Sequence, residues 1–92
     1  MKSQREFIAE ELEHSRREAR MMARHLSSGD CERAAQSLKE AALFGGSAMR
    51  SAIRAASQDK SESLRRIKIE TYEQDQAIDA LTGSFVMACV RR

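Results

Sequence analysis

Apolar and small residues recur along this chain in alternating steps of four and three. Ile8, Leu12, Ser15, Ala19, Met22 and Leu26 make a first run, and Ala35, Leu38, Ala42, Gly45, Met49, Ala52 and Ala56 a second. Leu64, Ile67, Thr71, Gln74, Ile78, Leu81 and Phe85 make a third, with the alternation kept across six intervals. Side chains three and four apart share one face of an α-helix, so the pattern predicts three amphipathic helices. Near-heptad regularity further predicts that they are long and pack lengthwise. Thr71 and Gln74 place polar groups in the centre of the third stripe, where they are expected to set register rather than line a binding site.

The punctuation between the stripes fits this reading. The first helix is expected over Ser3 to Ser27, with acidic Glu6, Glu10, Glu11 and Glu13 early and Arg16, Arg17, Arg20, Arg24 and His25 late, the order that complements a helix dipole. Glu13 and Arg17 stand four apart, in the favourable orientation for a pair. Gly29 can take the left-handed conformation of a helix end, and Asp30 can cap the next helix. The second helix runs to about Ser57; Asp59 and Glu62 then have the spacing of a capping box for the third. Gly83 is a candidate stop, with Phe85 to Val90 able to add a further turn or two, and Arg91 and Arg92 suit a helix C-terminus. Short connections favour antiparallel neighbours. The expected fold is an all-α antiparallel bundle of three long helices, a single domain over residues 1–92.

The anomaly is Gly45-Gly46 in the middle of the second helix, where two glycines cost about 2 kcal/mol relative to alanine. If the helix breaks there, Ser47 is the new N-cap and the bundle has four helices. The larger side chains of both flanking stripes favour the other solution, in which a small-residue middle helix fits between them and Gly45 is a packing device.

Size and composition sharpen the picture. A 92-residue chain buries only about 60–65% of the surface it exposes when unfolded, and 14 of its residues are alanine, so its own core is thin. Association with a partner or a second copy would add buried area. Sixteen basic residues against 14 acidic ones leave a net charge of +2, which does not argue for nucleic acid by itself. No apolar run approaches a membrane span, and the opening residues turn charged too early for a secretory signal, so a soluble cytoplasmic protein is expected.

Candidate chemistry is sparse. Glu11 and His14 have the Glu-x-x-His spacing of a di-iron ligand pair, but no second copy exists, so solvated helix surface is the expectation and no metal or cofactor is assigned. Cys31 and Cys89 lie at the same end of an antiparallel bundle. In a cytoplasmic protein two unlinked, partly buried thiols are the expected state, with a redox pair, or a zinc cluster completed by His25, as weaker alternatives. Gly45-Gly46-Ser47 lacks the lysine and the preceding strand of a phosphate loop. Neither histidine has a serine or cysteine at a spacing that implies nucleophilic catalysis, so no enzymatic activity is expected.

What remains is surface. The functional expectation is a small protein-binding module, an adaptor, chaperone or inhibitor of a larger protein, in the manner of a phage or mobile-element regulator of a host enzyme, with a homodimer as a further form. The candidate contacts are Met21 and Met22, whose thioethers suit adaptable surfaces, and Arg17, Arg20 and Arg24. The competing expectation is a nucleic-acid-binding regulator using Arg50, Arg54, Arg65, Arg66 and Lys68, which should gather at the turn between the second and third helices. Aromatic content of 4% provides no stacking platform for single strands, which ranks this second.

Overall fold

A computed structural model describes residues 2–91, and Arg92, expected at a helix C-terminus, lies outside the described residues. Three α-helices follow one another: α1 (Gln4–Ser27), α2 (Cys31–Gln58) and α3 (Glu62–Phe85), the last continued by a π-helical turn over Val86–Val90. Gly83 does not stop α3. At 1.5 Å per residue, helices of 24, 28 and 24 residues are about 36, 42 and 36 Å long. Packed side by side they give an elongated body whose Cα atoms extend over 47 × 23 × 14 Å.

Each helix start has a side-chain cap that satisfies one of its free amides. The Ser3 hydroxyl accepts from the Glu6 amide at 3.1 Å, and the Asp30 carboxylate accepts from the Arg33 amide at 3.1 Å. For α3 the cap is Ser61, which accepts from the Leu64 amide at 3.4 Å. The Asp59–Glu62 capping box is therefore corrected. Asp59 ends α2 instead, and its carboxylate braces the turn by accepting from the Ser61 amide at 3.0 Å. Gly29 takes the left-handed conformation expected of it, with φ of +79°.

The first and third stripes face the core over most of their length, with Ala19, Leu26, Leu81 and Phe85 only half-buried. Ile8, Leu12, Ser15 and Met22 are buried on α1, and Leu64, Ile67, Thr71, Gln74 and Ile78 on α3. Gly45 and Ala52 of the second stripe are buried as read, but its other five positions are each displaced by one residue. The buried face of α2 is Ala34, Ser37, Ala41, Gly45, Ala48, Ala52 and Ala55, while Leu38, Met49 and Ala56 are half-buried and Ala35 and Ala42 are exposed. One position rotates a helix by about 100°, so away from Gly45 and Ala52 the buried stripe lies on the neighbouring face. Alanine occurs in adjacent pairs along α2, and both faces carry the same 3 and 4 spacing. The fold chooses the face with the smaller side chains because α1 and α3 bring the larger ones.

α2 runs unbroken through Gly45-Gly46, which excludes the four-helix alternative. A β-carbon on Gly45 would lie 2.9 Å from both Ile78 Cδ1 and Ser15 Oγ, so the glycine is needed for close approach of three helices. Around it sits a buried polar layer. The Ser15 hydroxyl donates to the Ala41 carbonyl at 2.7 Å and accepts from Gln74 Nε2 at 3.1 Å, so it both donates and accepts within the core. On one side of this layer, toward the α2–α3 turn, lies the hydrophobic core cluster, formed by Ile8, Leu12, Ala48, Ala52, Ala55, Leu64 and Ile67.

On the other side, a Cys31–Cys89 disulfide ties the first turn of α2 to the π-helical turn, with the Cα atoms 5.8 Å apart. The expectation of two unlinked thiols is overturned, and the same bond removes both sulfurs from any zinc cluster with His25. The juxtaposition of the two cysteines was readable from antiparallel topology; the error lay in inferring the redox state from a presumed compartment.

Candidate docking groove

The groove arises where α1 and α3, parallel neighbours across the bundle, face each other beyond the Ser15–Gln74 layer. The facing flanks carry Ala19 and Ala23 on α1 and Ala77, Ala80, Leu81 and Ser84 on α3, with Gln74 closing one end. Methyl groups cannot fill the space between two helices that larger side chains hold apart elsewhere. An open, largely apolar groove of about 490 Å³ results. That volume lies within the range of pockets that accept small ligands or anchoring side chains.

Its α1 rim is basic. Arg16 and Arg20 both line the groove. Arg16 reaches across to the Glu70 carboxylate on α3 at 3.2 Å, and Arg20 lies 3.3 Å from Glu13 on its own helix. The sequence expectation paired Glu13 with Arg17; the longer reach to Arg20 replaces it. The Arg20–Glu13 pair is solvent-exposed, a setting in which such pairs contribute about 0–1 kcal/mol, so an incoming carboxylate can compete for Arg20, while the Arg16–Glu70 pair is half-buried.

Of the residues predicted to bind protein, Arg20 alone lines this groove. Arg17, Arg24 and Met21 are exposed on α1 outside it. Met22 is 0% exposed and belongs to the core, which corrects its assignment to a contact surface: it falls on the first stripe, and its flexible thioether fills the thinner half of the bundle. The sequence reading missed Ala23, Ala77, Ala80 and Ser84. The available signal was alanine at helical spacing on the flank of two stripes, a signal that means little until the two flanks are known to face each other.

The second basic group is only partly assembled. A small cleft of about 140 Å³ at the α2–α3 turn is lined by Ala56, Asp59, Lys60, Ser61, Arg65 and Lys68. It unites Arg65 and Lys68 with Lys60, which the sequence reading had not singled out. Arg50, Arg54 and Arg66 are exposed but do not line it; Arg66 lies 3.9 Å from Glu62. Asp59 contributes opposing charge at the cleft itself.

Glu11 and His14 are not the solvated surface expected of them. Glu11 Oε2 accepts from the Ser47 hydroxyl at 2.6 Å, and the His14 ring packs on Phe44 with centroids 3.9 Å apart, so both help to hold α1 on α2. Among the described residues no group of three or more His, Cys, Asp or Glu side chains is arranged to hold a metal ion, and no helix is long and apolar enough to cross a membrane. Comparison with protein-family models, curated proteins and solved structures gave no match.

Proposed function

We propose that this chain is a non-enzymatic protein-binding module that docks a helix of a larger protein in the α1–α3 groove, acting as an adaptor, chaperone or inhibitor. The observation that carries the reading is the groove itself, an apolar floor of Ala19, Ala23, Ala77, Ala80 and Leu81 beside a rim of Arg16 and Arg20. Small side chains admit the backbone of another helix closely, and an amphipathic helix laid in such a groove buries its apolar face against the floor. The basic rim selects a partner helix with carboxylates along one edge. Docking would complete a four-helix arrangement and supply burial that a core with five alanines among its eleven buried apolar residues lacks.

The test is affinity capture from the native cell with matched variants. Ala77→Glu places a carboxylate on the groove floor and should abolish capture of the partner; Ile69→Glu, at an exposed position that does not line the groove, should leave it intact. Equal capture by both variants, or no captured protein, refutes the groove as the docking surface. Self-association lost in Ala77→Glu would assign the groove to a homodimer instead.

The nucleic-acid reading keeps one supporting observation, the convergence of Lys60, Arg65 and Lys68 at the α2–α3 cleft. A phosphate-binding mode there would weaken steeply with salt. Absence of retarded DNA or RNA at low salt eliminates it. Cytoplasmic location is part of the same proposal, and in that compartment a disulfide is characteristically transient and redox-sensing.

A further inference from the structure

None of Val86–Val90 is buried. Met87 and Val90 are 66% and 64% exposed, so burial does not hold this segment on the bundle. The hydrogen bonds at its two ends are local. The Val86 amide donates to the Thr82 and Gly83 carbonyls, and the Arg91 amide donates to the Val86 carbonyl. The covalent tie to another helix is the bond from Cys89 to Cys31, across a sequence separation of 58 residues. Both cysteines are half-buried, so neither is enclosed in the core.

We propose that Cys31–Cys89 is a redox-modification site that works as a latch on the end of α3. A protein or small-molecule dithiol is the reductant. Its thiolate attacks one sulfur, the Cys31–Cys89 bond breaks, a mixed disulfide forms, and the other cysteine leaves as a thiolate that takes up a proton. The second thiol of the reductant then loses its proton and attacks the mixed disulfide, freeing the remaining cysteine and leaving the reductant as a disulfide. Two electrons and two protons have moved to the protein. Oxidation by a disulfide of the same class reverses each step.

The consequence follows from position. Once the bond opens, the π-helical turn has no buried side chain to keep it in place, and the last turns of α3 lose their brace. Leu81 and Ser84, which line one wall of the docking groove, lie in those turns. The oxidised form therefore presents a fixed groove and the reduced form a frayed one. The effect on docking rests on the proposed function; the release of the turn does not.

Hydrogen exchange measured by mass spectrometry on the whole chain, oxidised and then reduced with dithiothreitol, tests the release. Exchange over residues 82–91 should accelerate at least tenfold on reduction, while amides around Leu12, Ala52 and Ile67 stay protected. Cys89→Ser should match the reduced form without any reductant. Unchanged exchange over 82–91 would overturn the latch, and so would loss of protection throughout the chain, which would make the bond a general staple. A photo-crosslinking side chain at Ala77 then reads the groove in both forms. Adduct yield should fall at least tenfold on reduction. Equal yields alongside a released turn would refute the coupling to docking, and absence of adducts in both forms would refute the docking reading while the exchange result still decides the latch.

Discussion

A methyl group on Gly45 would press on Ile78 Cδ1 and Ser15 Oγ at 2.9 Å, whereas one on Gly46 would meet only the Arg50 guanidinium, at 3.2 Å. The two glycines are adjacent, and both forgo about 1 kcal/mol of helix propensity relative to alanine. They should respond oppositely to substitution. Gly46→Ala should stabilise the protein by up to about 1 kcal/mol, because an exposed arginine swings aside easily. Gly45→Ala should destabilise it by about 1 kcal/mol and Gly45→Leu by about 3 kcal/mol, because overpacking outweighs the gain in propensity. Urea denaturation midpoints for the three variants check this. Ser15 is held by two hydrogen bonds and cannot yield. Ser15→Ala should cost about 1–3 kcal/mol by leaving the Gln74 amide unpaired, yet it should also reduce the penalty of Gly45→Ala, which a double-mutant cycle would detect as coupling. The crowding at Gly45 was legible from the large side chains of the flanking stripes. The hydrogen bonds of Ser15 were not, since Ser15 enters the sequence pattern only as a small residue.

At the scale of elements, the first and third helices were legible because Ile, Leu and Met mark one face each. α2 was legible as a helix but misread in rotation. Leu38 and Met49 drew the reading to the more hydrophobic face, while the core wanted the thinner one, through Ala34, Ala41 and Ala48. A helix wedged between two bulky neighbours is oriented by volume before hydropathy. The groove was not legible, because it is a property of two flanks and each is unremarkable by itself. The disulfide adds a constraint that patterning cannot express. Closing a loop of this length removes unfolded-chain entropy worth about 4 kcal/mol. A domain of this size has a total stability of about 5–14 kcal/mol. Reduction should therefore lower the unfolding free energy by up to about 4 kcal/mol and leave the helices formed, as paired denaturation curves with and without dithiothreitol and the helical circular dichroism would show. Loss of the helical signal on reduction would mean that the packed half cannot stand without the crosslink.

Across the whole molecule, packing is uneven along the long axis. The half at the α2–α3 turn holds the main apolar cluster, and the half at the α1–α2 turn holds the groove, the disulfide and the exposed terminal turn. The proposed docking lies in the second half, where apolar area remains uncovered beside Arg16 and Arg20. Affinity for the partner should fall only a few-fold between about 50 and 200 mM salt, since apolar burial dominates and the rim charges mainly steer approach; a phosphate-dominated contact would fall by orders of magnitude. Arg20→Glu should slow association more than it speeds dissociation. The most direct measurement is site-specific photo-crosslinking of the oxidised protein in its native cells, with the reactive side chain at Ala77 or, separately, at Ile69. Adducts from Ala77 to a helical, acid-edged segment of a larger protein, without the same adduct from Ile69, are the predicted result; no adduct from Ala77, or the same adducts from both positions, would contradict the account.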